Sequence, residues 1–176
     1  TLSSGLKTAM LPKKTRGEAV HVRLTLRYGD LDNLKGKVTA AEALPYLMMR
    51  GTKDLTRQQI QDALSKHRAR IVPSGAAGES TFTIETKRSE LPAVLDILRQ
   101  ILREATLPES ELEILRTQFV SNAEKQLTDP QALAQKAISQ IISPYPADDV
   151  RYVPSVAESM DRWKQLKHAD IASLYS

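Results

Sequence analysis

Thr39-Ala-Ala-Glu42-Ala-Leu44-Pro45-Tyr46-Leu47-Met-Met-Arg50-Gly51-Thr52 is the stretch that decides how the chain is read. Leu44, Leu47 and Met48 recur at helical spacing and predict a buried helix. Thr39 with Glu42 three residues on predicts a capping box at its start, and Gly51 suits the C-terminal stop. Pro45 is out of place. It has no N–H for the carbonyl four residues back, so a kink or a loosened first turn is expected there.

Outward from this helix, composition sets the bounds. The 176 residues are one domain by size, with 41% hydrophobic and 26% charged residues as in soluble globular proteins. No apolar run approaches the roughly 20 residues that cross a bilayer. Without cysteine there is neither a disulfide nor a thiolate metal site. The net charge of +4 comes with scattered basic residues and 5% aromatics, so no stacking platform for nucleic acid is visible. No signal-peptide pattern opens the chain at Thr1. A soluble protein is expected, of the periplasm or another export compartment if a parent chain carries a signal peptide.

Ala19–Tyr28 is the clearest strand. Val20, Val22, Leu24, Leu26 and Tyr28 alternate with His21, Arg23, Thr25 and Arg27, which predicts an antiparallel sheet covered on one face. His21 falls on the polar face and reads as surface. Gly5–Leu11 is a second, shorter strand candidate ending at Pro12. Asp30 and Asp32 lie in a loop that lacks the spaced acids of an EF-hand. Thr56 caps a helix over Thr56–Arg68, with His67 near its end. Ala69–Ala76 and Glu79–Lys87 form a hairpin around Ser74–Gly78, with Phe82 and Ile84 on the buried face. That glycine-rich turn joins strand to strand, so it is no phosphate cradle.

The second half is helical. Ser89 caps Glu90–Ala105, Pro108 opens a long helix with Glu109, Glu111 and Glu113 in its first turns, and Asp129-Pro130 opens Gln131–Ser143. Ser155 and Glu158 predict another capping box, and a last helix runs from about Ala169. The sum is an α+β fold: about four strands in an antiparallel sheet, with helices mainly on one face.

The Thr39–Thr52 stretch resembles the metal-binding helix of the insulinase/pitrilysin (inverzincin) family of zinc peptidases. Active members carry His-x-x-Glu-His, then a short apolar run and Gly-Thr. Counted back from Gly51-Thr52, the motif falls on Glu42 to Tyr46. Both histidine positions are lost, to Glu42 and Tyr46, and the general-base position is Pro45. Later phrases follow the family order: Pro108 to Glu113, a long helix, Asp129-Pro130, the Ala132–Ala137 stretch and Tyr145-Pro146. The wording is closest to the family's non-catalytic domains, which pair with homologous active ones.

The resemblance implies a mitochondrial-processing-peptidase-like metallohydrolase fold, cut before its last strands, over residues 1–176 as one inactive domain of a longer chain. It implies no catalytic residues, no cofactor and no zinc. Zinc in such a site needs three protein ligands and an open position for water, and only Glu42 could ligate on this helix. The family's third ligand is a glutamate on the long helix, for which Glu124 is the vestigial candidate. The family's substrate-holding Arg and Tyr have no counterpart. The expected role is one wall of a peptidase chamber, beside an active zinc-peptidase domain in the same chain or a partner subunit, with an extended peptide as a further ligand. Self-association through an open sheet edge is expected as well. Two alternatives stand: an active metallopeptidase using Glu42, Glu124 and an unrecognised ligand, and a non-proteolytic scaffold subunit related by fold.

Overall fold

A computed structural model describes every residue of the chain except 2 and 4. The strands are β1 (Ala19–Arg27), β2 (Arg70–Ala76) and β3 (Glu79–Lys87); the helices are α1 (Val38–Met48), α2 (Arg57–Lys66), α3 (Leu91–Glu104), α4 (Glu109–Gln126), α5 (Pro130–Ile142), α6 (Val156–Gln165) and α7 (His168–Tyr175). The sheet order is β1-β3-β2, antiparallel throughout. Alternation sets its two faces. Val22 and Ile71 flank Ile84, and Leu24 and Pro73 flank Phe82, on the face that meets α1. Arg23, Thr83 and Val72 form a row on the opposite face, which no helix covers completely, since Val72 is exposed.

The sheet has three strands, where about four were expected. Gly5–Leu11 forms none: it pairs with nothing in the ladder, and Met10 and Leu11 are exposed. A short apolar run becomes a strand only when a neighbouring edge supplies its hydrogen bonds. The hairpin turn is tighter than expected. Ala77 and Gly78 alone connect β2 to β3, with Gly78 at φ +70°.

α1 lies on this sheet at backbone distance. Ala40, Ala41 and Ala43 are buried there, and a side chain at Gly75 of β2 would come within 2.3 Å of the Glu42 carbonyl. Small residues on both elements permit that approach. The helix starts at Val38 with Lys37 as its cap and no side-chain capping bond, so the expected Thr39–Glu42 box does not form. Thr39 already sits inside the first turn. Pro45 has a local effect instead of a break. α1 is continuous across it, and the Ala41 carbonyl that Pro45 cannot serve accepts the Tyr28 hydroxyl, at a long 3.5 Å. That hydroxyl also meets Ser80 at 3.3 Å, tying helix to sheet.

Locally coded caps form as read. Thr56 and Gln59 close a capping box on α2, Ser155 and Glu158 close one on α6, and Asp129 accepts from the Gln131 and Ala132 N–H groups on α5. Ser89 is not the cap of α3. Glu90 takes that place, and its carboxylate instead meets His67 Nδ1 at 2.8 Å. Pro108 stands at the N-cap of α4, one residue earlier than a first-turn proline.

Candidate functional site

Glu42, Pro45 and Tyr46, the positions that the resemblance singles out, lie where α1 meets α4 and α6. α1 places Glu42, Pro45 and Tyr46 within about one turn of each other. Pro45 is fully buried, and Tyr46 is partly buried. The residue of α4 that meets Tyr46 is Phe119, edge to face at 5.2 Å and 79°. Phe119 in turn lies flat on Trp163 of α6, at 4.0 Å and 7°. Pairs of this kind add about 0.5–1.5 kcal/mol each beyond the area they bury. Tyr46, Phe119 and Trp163 therefore form a row of three rings across the junction of α1, α4 and α6.

Arg116 of α4 holds α6 to this row. Its Nε donates to the Trp163 carbonyl at 3.1 Å and one Nη to the Leu166 carbonyl at 2.6 Å, while the other Nη donates to Glu113. A cation thus meets the C-terminal carbonyls of α6, where the helix dipole favours one; the Trp163 carbonyl also accepts the Leu166 N–H at 3.4 Å.

Glu42 faces this junction as a largely buried carboxylate. Burial pushes its pKa up, and the positive charges of Lys136 on α5 and Arg162 on α6 offset that only in part. Burial also raises the Tyr46 hydroxyl, with the Glu42 charge adding to it. The residues do not fit a zinc ion. Pro45 has no donor, Tyr46 is a phenol held in an aromatic contact, and Glu42 is one carboxylate facing two cations. Glu124 lies five residues beyond Phe119 on α4 and is exposed, away from the ring that faces α1. Among the described residues no group of three or more His, Cys, Asp and Glu is placed to hold a metal.

The histidines are engaged elsewhere. His21 stands on the polar sheet face 3.6 Å from Glu85, His67 meets Glu90, and His168 Nε2 is 2.6 Å from the Leu107 carbonyl. A second charged group follows α1 directly. Arg50 donates to Glu111 at 3.1 Å and to Gln118 at 3.1 Å, and Arg57 lies 3.5 Å from the same Glu111 oxygen. It ties the segment after α1 to α2 and α4, with two guanidiniums sharing one carboxylate.

Sequence reasoning named Glu42, Pro45 and Tyr46 but not the partners that cover them. Phe119 and Trp163 lie on other helices, with nothing local to tie them to those positions. A usable signal existed: an aromatic residue at a ligand position calls for an apolar neighbour, and Trp163 is the only tryptophan of the chain.

Three comparisons bear on this arrangement. The family model described as Insulinase (Peptidase family M16) matches residues 8–144. No curated protein matches the chain in sequence. Among solved structures, a peptidase M16 inactive domain from Pseudomonas fluorescens superposes with a TM-score of 0.72 at 12% identity, over 90% of this chain and 38% of that one. A protease from Helicobacter pylori gives 0.74 at 16% identity, over 94% and 40%. The periplasmic protease PqqL from Escherichia coli gives 0.66 at 17%, over 90% and 18%. At such identities the likeness is one of fold, and this chain spans at most 40% of the length of these three relatives.

Proposed function

Because this chain belongs to the insulinase family of peptidases, we propose that it is a catalytically silent domain of a zinc metalloprotease. It forms part of the wall of a peptidase chamber and supports an active partner domain, in the same chain or in a partner subunit. The observation that carries this reading is the motif helix itself. An imino acid stands where the base would be, and a phenol packed on Phe119 stands where a metal ligand would be. Proline cannot take a proton from water, and without a metal no water is brought toward a pKa of about 7.

The partner role has separate support. α5 buries none of its residues and exposes Leu133, Ile138, Ile141 and Ile142 on its apolar side. An uncovered face of this kind suits packing against another domain. One fold relative is periplasmic, which supports an export compartment for a parent chain with a signal peptide; no helix among the described residues is long and apolar enough to cross a membrane.

Metal analysis of the purified chain, with a cleavage assay on an unstructured peptide with and without chelator, tests the reading. The expected results are substoichiometric zinc and no chelator-sensitive cleavage. One zinc per chain, or cleavage abolished by the chelator, would overturn it and revive a site built on Glu42.

A further inference from the structure

Basic residues are scattered along the sequence, and the fold gathers six of them at one end of the sheet. In the ladder Ala19 faces Lys87 and Arg70 faces Glu85, so the start of β1, the start of β2 and the end of β3 lie together. Arg70 begins β2, Arg68 stands two residues before it, and Lys66 ends α2. Lys87 ends β3. The N–H of Arg88 donates to the Glu18 carbonyl at 3.0 Å, which brings in the short helical turn that carries Arg16. All six of these residues are exposed. The acids at this end are Glu18, Glu85 and Glu90, so with neutral histidines a net +3 of the chain's +4 stands here. Glu85 lies 3.6 Å from His21, and Glu90 lies 2.8 Å from His67. Among the described residues none of the six cations makes an ion pair or a side-chain hydrogen bond. Like charges gathered this way repel one another, and of the local acids only Glu18 is left without a histidine.

The backbone is strained at the same place. Glu18 at φ +55° and Arg68 at φ +47° are two of the three non-glycine residues with positive φ among the described residues. Arg68 follows α2 at a position where glycine or asparagine is usual, so a guanidinium is kept there at a conformational cost. Arg68, Arg70 and Lys87 stand round a recess of about 360 Å3. No Phe, Tyr or Trp lines it to stack a base, and Val20 is its largest apolar side chain, too little to seat the side chains of a peptide. The cations reach beyond the recess, on the ends of α2, β2 and β3 and on the turns beside them. That spread suits a partner that presents many anions in a plane, not one small anion.

We propose that this end of the sheet docks on an anionic lipid surface, with a headgroup phosphate in the recess between Arg68, Arg70 and Lys87 and neighbouring headgroups on Lys66 and Arg88. The cations stand on element ends and turns, so the site does not depend on what borders the sheet sideways. It is also independent of whether the domain is catalytically silent. Association of this kind is peripheral and reversible, held by charge and weakened by salt.

The test is co-sedimentation of the 176-residue chain with phosphatidylcholine vesicles, neutral or carrying about 30% phosphatidylglycerol. Binding to the anionic vesicles is expected to be about tenfold or more tighter than to the neutral ones, and to be lost between about 0.05 and 0.3 M NaCl. K87E/R88E is expected to abolish it, with circular dichroism and Tm retained. K125E/K164E changes the net charge equally on exposed residues of α4 and α6 and is expected to cost less than about twofold. Arg68→Gly separates the roles of that residue: relief of the positive φ is expected to hold or raise Tm, while vesicle binding falls about fivefold. It also carries the test should K87E/R88E fail to fold. Equal binding to neutral vesicles, an equal loss in K125E/K164E, or full binding by Arg68→Gly would overturn the proposal. So would release from the vesicles by tripolyphosphate or a short oligothymidylate at matched phosphate concentration, since the site would then serve a soluble phosphate or a nucleic acid.

Discussion

α1 and α5 are helices of similar length, each with a proline and each rich in alanine and large aliphatic residues, and they end in opposite environments. Seven residues of α1 are buried, and none of α5 is. The difference lies in what each helix meets. α1 rests on a sheet that offers Gly75 beneath its backbone, Phe82 and Ile84 beneath its side chains, and Phe119 beside Tyr46. α5 touches α4 only briefly and leaves Ile141 and Ile142 exposed. An apolar stripe makes a helix able to bury one face, but only a complementary surface makes it do so. The contrast also separates the roles proposed for them: α1 holds the domain together, and α5 is free to hold something else.

The largest expected effect comes from pushing α1 off the sheet. Gly75→Val places carbon against the Glu42 carbonyl, where a Cβ alone would sit at 2.3 Å, and neither backbone can yield. A loss of about 4 kcal/mol or more is expected, read as a chain that no longer melts cooperatively. Leu47→Ala, at a position with no exposure, is expected to cost about 2–5 kcal/mol in urea denaturation. Arg116→Ala removes the donor to two α6 carbonyls and is expected to cost about 1.5–3 kcal/mol, with loss of the Trp163 near-ultraviolet signal before global unfolding. An unchanged tryptophan signal would mean that α6 docks without it.

Glu42→Gln carries a sign that pH reveals. The folded-state pKa of Glu42 is raised above its ordinary value by burial. The folded protein therefore holds the proton more tightly, and stability is greatest below the unfolded pKa and falls as pH rises through the folded one. Glu42→Gln is expected to raise Tm at neutral pH, with the gain over wild type vanishing as pH falls below the ordinary 4.5. A lower Tm at neutral pH would mean that Lys136 and Arg162 outweigh burial. The smallest effect belongs to α5: Ile141→Ala, at 77% exposure, is expected to change stability by no more than about 0.5 kcal/mol. A cost near that of Leu47→Ala would show that the α5 face is covered in solution and end the comparison.

How much could be read in advance follows from the range of the signals. The caps at Thr56, Asp129 and Ser155 use partners two or three residues away, and they form. Thr39 and Ser89 carry the same residue types, but the helices start elsewhere, because packing of α1 on the sheet and the His67–Glu90 contact choose the first turn. Gly5–Leu11 has strand-like residues and joins no ladder. At the site, Glu42, Pro45 and Tyr46 were legible as a group because they are neighbours on one helix. Phe119 and Trp163 were not, since their stacking joins positions 44 residues apart. Nor was the fate of Pro45: the Ala41 carbonyl that it orphans is met by Tyr28, just past the end of β1.

By itself, then, the sequence determined which segments fold into strands and helices in the core, which face of each is apolar, and that Glu42, Pro45 and Tyr46 share one turn of one helix. Those properties depend on side-chain chemistry and on periodicity within a single element. Tertiary structure alone decided that a row of aromatic rings fills the junction, that α1 approaches the sheet at backbone distance over Gly75, and that α5 buries none of its residues within this chain. Each of these is a relation between distant segments, and it is set by which surfaces come close enough to exclude water.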